Sequence, residues 1–146
     1  MFNLVKDEKY VVKSKSNTAK EIRLSKYLEE NGIEVIETDL GDRIIQILDE
    51  TPSLPVGPAA HVPATRIAQA FSEYYGVEVP PLPQEIVKAG KKELREKMIN
   101  ARIGITGANV LVAEDGRIGL IENEGNISLI TRLSEIHVVI VGIDKV

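Results

Sequence analysis

The chain has 146 residues, 43% of them apolar and 27% charged, which fits one soluble domain with a substantial core. A net charge of -4 and an aromatic content of 4% argue against nucleic-acid binding, which needs a basic field and stacking rings. The absence of cysteine excludes disulfides, thiolate zinc sites and cysteine-ligated iron-sulfur clusters within the chain, and no metal site is predicted. No apolar run approaches the roughly 20 residues of a membrane span and no signal peptide is recognisable, so we expect a cytoplasmic protein without a membrane partner.

The first elements along the chain follow a strand, helix, strand pattern. Residues 10–13 are typical of a short strand, and the Thr-x-x-Glu spacing that starts at Thr18 is typical of a helix capping box. The pattern predicts a helix over 19–31 and a second strand over 34–38. We therefore expect a right-handed βαβ unit with parallel strands.

Residues 13–16, two lysines alternating with two serines, follow the first predicted strand and precede the predicted helix. Free backbone NH groups and the helix dipole attract anions at such a position. We predict that Lys13, Lys15 and Ser16 meet the negative charge of a ligand. A solvated basic loop is the alternative interpretation.

Two carboxylates, Glu37 and Asp39, close the second predicted strand. Carboxylates at the carboxyl edge of a parallel sheet bind ribose hydroxyls or act as acids and bases. Asp39 equally fits the N-cap of a short helix over 43–48, so both interpretations remain open.

The middle of the chain begins with at most a stub of strand over 56–61, which ends at His61. Pro63 suits the first turn of a helix that turns apolar side chains inward, namely Ile67, Ala68 and Phe71. His61 is either incidental or close to the edge of the sheet, where it could act in a site.

A charged helix is predicted over 84–102, with a break at Gly90. Leu94, Met98 and Ala101 are expected to face the sheet, whereas its lysines and arginines form a solvated face. Glu93 and Lys97 have the i,i+4 spacing of a supporting ion pair.

Two apolar runs, 110–113 and 118–121, flank the Asp115-Gly116 dipeptide, which is typical of a tight hairpin turn. Because these runs are apolar at almost every position, we expect two strands that are buried on both faces. A helix or turn over 127–133 and a final buried strand over 137–142 follow, and His137 is interpreted as structural.

Polar clusters stand before and after this predicted hairpin. Strand ends that carry amide and acid side chains on flexible backbone are typical of small-molecule sites, although capped turns use the same residue types. The candidate ligand-binding residues in these clusters are Thr106, Gly107, Asn109, Glu124, Gly125 and Asn126.

The succession of these motifs resembles the lactate-utilisation (LUD) domain family, most closely the LutB-type domain of an iron-sulfur subunit. The motifs are Lys13-Ser14-Lys15-Ser16, residues 34–41, Pro58-Ala59-Ala60-His61, residues 104–109, Asn123-Glu124-Gly125-Asn126 and residues 137–145. The family is similar to the NagB/RpiA/CoA-transferase-like fold. The resemblance therefore implies an α/β, Rossmann-like, open and mostly parallel sheet with helices on both faces and an inserted β-hairpin. We expect one LUD-type domain over residues 1–146, shortened relative to longer members.

The resemblance also implies a ligand-binding or accessory component of a system that oxidises L-lactate to pyruvate. The ligand would be a small anionic metabolite or a nucleotide-like molecule, and an iron-sulfur cluster would lie on a missing region or on a partner subunit. One alternative is an autonomous sugar-phosphate isomerase or acyl/CoA transferase that uses Glu124 or Glu37 as base or nucleophile. Asn109 stands where such isomerases carry Asp, so base chemistry is not expected there. Another alternative is a subunit-interaction module without a ligand, and a homo-oligomer is also left open.

Overall fold

The computed structural model describes residues 1–54 and 57–145, apart from the side chain of Phe2. The parts of our predictions that involve Val56 and Val146 lie outside these residues. The chain forms two compact units, Met1–Ile36 with Lys97–Val146 (unit 1) and Glu37–Glu96 (unit 2). The single domain predicted above stays a prediction.

Helices and strands are interspersed along the chain. The strands are β1 (Tyr10–Lys13), β2 (Glu34–Glu37), β3 (Ile103–Thr106), β4 (Val110–Val112), β5 (Arg117–Gly119) and β6 (Ile136–Val139). The helices are α1 (Phe2–Val5), α2 (Asn17–Glu21), α3 (Leu24–Glu30), α4 (Leu40–Leu48), α5 (Ala64–Tyr75), α6 (Pro83–Asn100) and α7 (Asn126–Leu133), followed by a 3-10 turn at Ile143–Lys145.

A four-stranded sheet has the order β2-β1-β3-β6, and β3 pairs in parallel with both β1 and β6. Neighbouring residues of a strand point to opposite faces. On one face, Ile103 and Ile105 pack in the same apolar cluster as Leu24 and Leu28 of α3. Gly104 between them faces the other side, where α7 packs through Ile130. The predicted open, mostly parallel sheet with helices on both faces is confirmed.

The first predicted helix is divided in two, which corrects the prediction of one helix over 19–31. Arg23 adopts left-handed backbone with φ of 53° between α2 and α3. Ala19 and Leu24 are both buried. Five residues turn an α-helix by about 500°, so an unbroken helix would point these two side chains in different directions. The left-handed residue brings both of them into the core.

Helix α6 continues through Gly90, so the predicted break is wrong. A Cβ at Gly90 would lie 2.5 Å from Leu40 Cδ1 and 3.4 Å from Phe71 Cε2. The glycine therefore serves close packing within unit 2 and does not end the helix. Glu93 also departs from its expected role, because it pairs with Arg43.

Strands β4 and β5 form a separate antiparallel hairpin, with Val110 paired to Gly119. Gly116 has the positive φ expected at the turn, 73°, but Asp115 does not. Val112 pairs with Arg117, so the connection has four residues and is longer than the predicted tight turn. The prediction that both strands are buried is wrong, since Val110 and Ile118 are 47% and 44% exposed. The hairpin lies outside the four-stranded sheet, and its residues are exposed or only half-buried. The final strand β6 is likewise shorter than predicted and only partly buried, because it is an edge strand.

Unit 2 contains α4, α5 and most of α6 around an apolar cluster that includes Ile44, Ile45 and Phe71. Helix α5 begins after Pro63, as predicted. The buried Arg43 guanidinium donates hydrogen bonds to Glu93 Oε1 at 2.6 Å, to Gln46 Oε1 at 2.6 Å and to the Tyr74 hydroxyl at 2.8 Å. A carboxylate and two neutral acceptors thus satisfy a buried cation.

Candidate functional site at the carboxyl ends of β1 and β3

The order of the strands in the sheet reverses direction between β1 and β3. From β1 the chain passes through α2 and α3 to β2 on one side, and from β3 it passes through α7 to β6 on the other. In open α/β sheets, ligands bind outside the carboxyl ends of the strands at such a switch point. The candidate site is therefore the β1/β3 edge, which we define as residues 13–16 and residues 106–107.

Gly107 brings the segments that follow β1 and β3 into contact. A Cβ at Gly107 would lie 2.9 Å from Ser16 Oγ and 3.2 Å from Ser16 Cβ. Any larger residue at 107 would push the two segments apart, since such distances are shorter than normal van der Waals contact. Two of the predicted site residues, one from each segment, are thus neighbours.

Lys13 is buried at the end of β1, with only 1% of its surface exposed. Its Nζ donates a hydrogen bond to the Ser14 backbone oxygen at 3.2 Å. Ser16 is also buried, and its Oγ accepts a hydrogen bond from the Ala19 NH, so Ser16 caps α2 in place of the predicted Thr18. A solvated loop therefore does not describe Lys13 or Ser16, and the half-buried Lys15 lies between them.

Ser14 is a residue that the sequence analysis did not include among the candidates. Its backbone NH donates to Ile105 O at 2.9 Å, which extends the β1/β3 ladder and places Ser14 beside Thr106. Its Oγ is buried and has no hydrogen-bond partner among residues 1–54 and 57–145. A buried unpaired hydroxyl costs about 1–3 kcal/mol, so this group is suited to bind an atom from outside the chain. The available signal in the sequence was its position between two lysines.

Thr106 is fully buried, and its Oγ1 lies 2.8 Å from His137 Nε2. Burial lowers the pKa of His137 below its ordinary value, which favours the neutral imidazole. His137 was interpreted as structural from the sequence, but the structure links it directly to a predicted site residue. The contact follows from the register of β3 and β6. Thr106 pairs with Val139, and His137, two residues before Val139, has its side chain on the same face of the sheet.

The remaining residues of the two polar clusters stabilise turns. Asn109 closes the hairpin, because its NH donates to Gly119 O and its Oδ1 accepts from the Ile121 NH. Gly125 has φ of 78° immediately before α7, and Asn126 Oδ1 accepts from the Ile127 NH. Glu124 directly precedes this turn. A ligand role for Asn109, Glu124, Gly125 and Asn126 stays a prediction.

Glu122 stabilises the first turn of α7 through hydrogen bonds with Ser128. Its carboxylate accepts hydrogen bonds from both the NH and the hydroxyl of Ser128. These bonds lower the pKa of Glu122, since they favour the charged form. This role of Glu122 was not predicted from the sequence.

Glu37 and Asp39 belong to unit 2. Asp39 Oδ1 accepts from the Asp42 NH at 3.1 Å and caps α4, so the capping interpretation is confirmed. The Glu37 NH donates to Gln46 Oε1. His61 lies within 3.4 Å of Glu50.

Residues 1–54 and 57–145 contain neither a cluster of metal-binding side chains nor a membrane-spanning helix. No three His, Asp or Glu side chains in this part of the chain are grouped so that they could hold a metal ion. No helix there combines the length and the apolar character needed to cross a membrane.

Comparison with known proteins gives a family match over nearly the whole chain. The family model described as LUD domain matches residues 3–146. Lactate utilization protein B of Bacillus pumilus (strain SAFR-032) is 40% identical over 141 residues, which are 96% of this chain and 30% of that protein. The protein of the same name from Bacillus thuringiensis (strain Al Hakam) is 41% identical over 140 residues, again 96% and 30%. The chain thus spans about 30% of the length of these curated relatives. No solved structure matches the chain significantly.

Proposed function

Because the chain belongs to the LUD domain family, we propose that it is the ligand-binding domain of a system that oxidises L-lactate to pyruvate. The similarity to two proteins named Lactate utilization protein B supports this role. In this proposal the electrons pass to an iron-sulfur cluster on another region or subunit, because the chain has no cysteine to ligate one.

The ligand is a small anionic metabolite that binds at the β1/β3 edge. The observation that carries this proposal is the buried Ser14 hydroxyl, which has no partner among the described residues and lies at the switch point of the sheet. The neighbouring buried Lys13 supplies positive charge, and Lys15 adds to it. A negatively charged ligand would complete the hydrogen bonding of the buried Ser14 hydroxyl.

Calorimetric titration of the chain with L-lactate, pyruvate, nucleotides and CoA tests the proposal. We expect one of the small carboxylates to bind, and Ser14→Ala to weaken its binding about 10-fold or more, because a hydrogen bond to a charged group is lost. Ser134→Ala is the matched control. Ser134 Oγ is also buried without a partner in the described chain, but Ser134 precedes β6 at the amino edge of the sheet.

Two outcomes contradict this assignment. If none of the compounds binds, the β1/β3 edge is not a metabolite site. If a compound binds and Ser14→Ala binds it as tightly as the unaltered chain does, the ligand lies elsewhere. Turnover of a bound compound by the chain alone would instead favour the isomerase or transferase alternative.

A further inference from the structure

The contact between Thr106 and His137 bears on the proposed site. Thr106 ends β3 at the β1/β3 edge, and its hydroxyl is within hydrogen-bond distance of the His137 imidazole. Ser14 extends the neighbouring strand at the same level. Adjacent strands are about 4.8 Å apart, so hydroxyl groups on Ser14 and Thr106 are close enough to bind one small ligand together.

The protonation of His137 determines which way the Thr106 hydroxyl donates. A neutral imidazole has one NH and one acceptor nitrogen. When Nε2 carries the hydrogen, it donates to Thr106 Oγ1, and the hydroxyl hydrogen of Thr106 is then available to a ligand. When Nε2 is the acceptor, that hydrogen is occupied by His137. Only the first arrangement leaves both Thr106 and Ser14 as donors.

We propose that His137 is a positioning residue of this site, which donates from Nε2 to Thr106 and thereby directs the Thr106 hydroxyl, together with that of Ser14, towards a ligand carboxylate. This inference rests on the proposed function and specifies the chemistry of its ligand. Two hydroxyl donors on adjacent strands suit the two oxygens of a carboxylate. His137 acts through Thr106 and does not itself contact the ligand.

The first test requires no ligand. Nitrogen-15 NMR of the histidine side chains distinguishes imidazole protonated at Nε2 from imidazole protonated at Nδ1. We expect the Nε2-H form for His137 at pH 7.5, and the second histidine, His61, provides an internal comparison. A His137 ring with its proton on Nδ1 overturns the proposal.

The second test measures affinity for L-lactate or pyruvate, whichever binds more tightly. We expect His137→Leu and Thr106→Val each to weaken binding about 10-fold, because one donor to a charged ligand is lost. His137→Gln, whose amide also donates to Thr106, should restore most of the affinity, as should Thr106→Ser, which retains the hydroxyl. Thermal unfolding of each variant confirms that it is folded at the titration temperature.

The double variant separates positioning from a structural contribution. If His137 acts through Thr106, Thr106→Val with His137→Leu should bind no more weakly than Thr106→Val alone. Additive losses, or a failure of His137→Gln to restore binding, overturn the inference. If Ser14→Ala weakens binding and His137→Leu does not, this inference fails while the proposed function stands. If the unaltered chain binds no carboxylate, both fail.

Discussion

Replacing Gly104 with alanine tests how closely α7 packs on β3. A Cβ at this position would contact Ile130 Cγ2, and it would lie 2.5 Å from Ser134 Oγ and 3.2 Å from Ser134 Cβ. Carbon atoms in contact normally lie about 3.5–4.0 Å apart, so the new methyl group would overlap two residues. Ile130 is fully buried and cannot turn into solvent, which forces α7 to move away from the sheet.

The expected cost of Gly104→Ala is about 3 kcal/mol, the upper part of the range for overpacked cores. For a chain of this size, each kcal/mol lowers the melting temperature by about 3 °C, so the expected decrease is about 9 °C. Urea unfolding followed by circular dichroism measures the free energy directly, and thermal unfolding provides the second value.

Ser134→Ala provides the matched comparison. It removes a buried hydroxyl that has no partner among the described residues, so by itself it should be neutral or slightly stabilising. Combined with Gly104→Ala it should recover part of the loss, because one of the overlapping atoms is gone. If Gly104→Ala alone unfolds within about 0.5 kcal/mol of the unaltered chain, the close packing of α7 on β3 is refuted.

Two further predictions concern Arg43 and His137. Arg43→Met should destabilise the chain by about 3 kcal/mol in urea unfolding, because it leaves the Glu93 carboxylate without its buried cation. Lys26→Met, which breaks the exposed pair with Glu30, should cost less than about 0.5 kcal/mol, and equal losses would contradict the role of burial. Burial lowers the pKa of His137, so the unfolded chain binds more protons than the folded chain between that pKa and about 6.5. The free energy of unfolding should therefore fall as the pH drops through this window, and it should fall less in His137→Gln, which lacks the imidazole. Urea unfolding between pH 5 and pH 8 measures both proteins. If the unaltered chain instead becomes more stable than His137→Gln as the pH drops, the prediction is refuted.

Secondary structure was predictable where local signals agreed. The apolar residues of β1, the proline before α5 and the glycine of the hairpin turn all depend on interactions within a few residues. The strand β3 was not predicted, although it lies at the centre of the sheet. The break at Arg23 and the continuous helix at Gly90 were missed for the same physical reason. In both places the packing of side chains distant in sequence, around Leu24 in one case and Phe71 in the other, outweighs local preference.

The candidate site was predictable only in part. The lysine and serine segment at the end of β1 and the Thr106-Gly107 pair at the end of β3 were identified from residue type and position. Ser14 and His137 were not, because an unpaired hydroxyl and a contact across strands depend on the register of the sheet.

The sequence by itself determined the family, the alternation of strands and helices, and the chemistry available at the strand ends, since all three depend on residue type and spacing. Tertiary structure decided which of these residues are buried and which hydrogen bonds they make. It left the apolar hairpin exposed and it placed the Thr106 hydroxyl beside His137, because burial and pairing depend on elements that are distant along the chain.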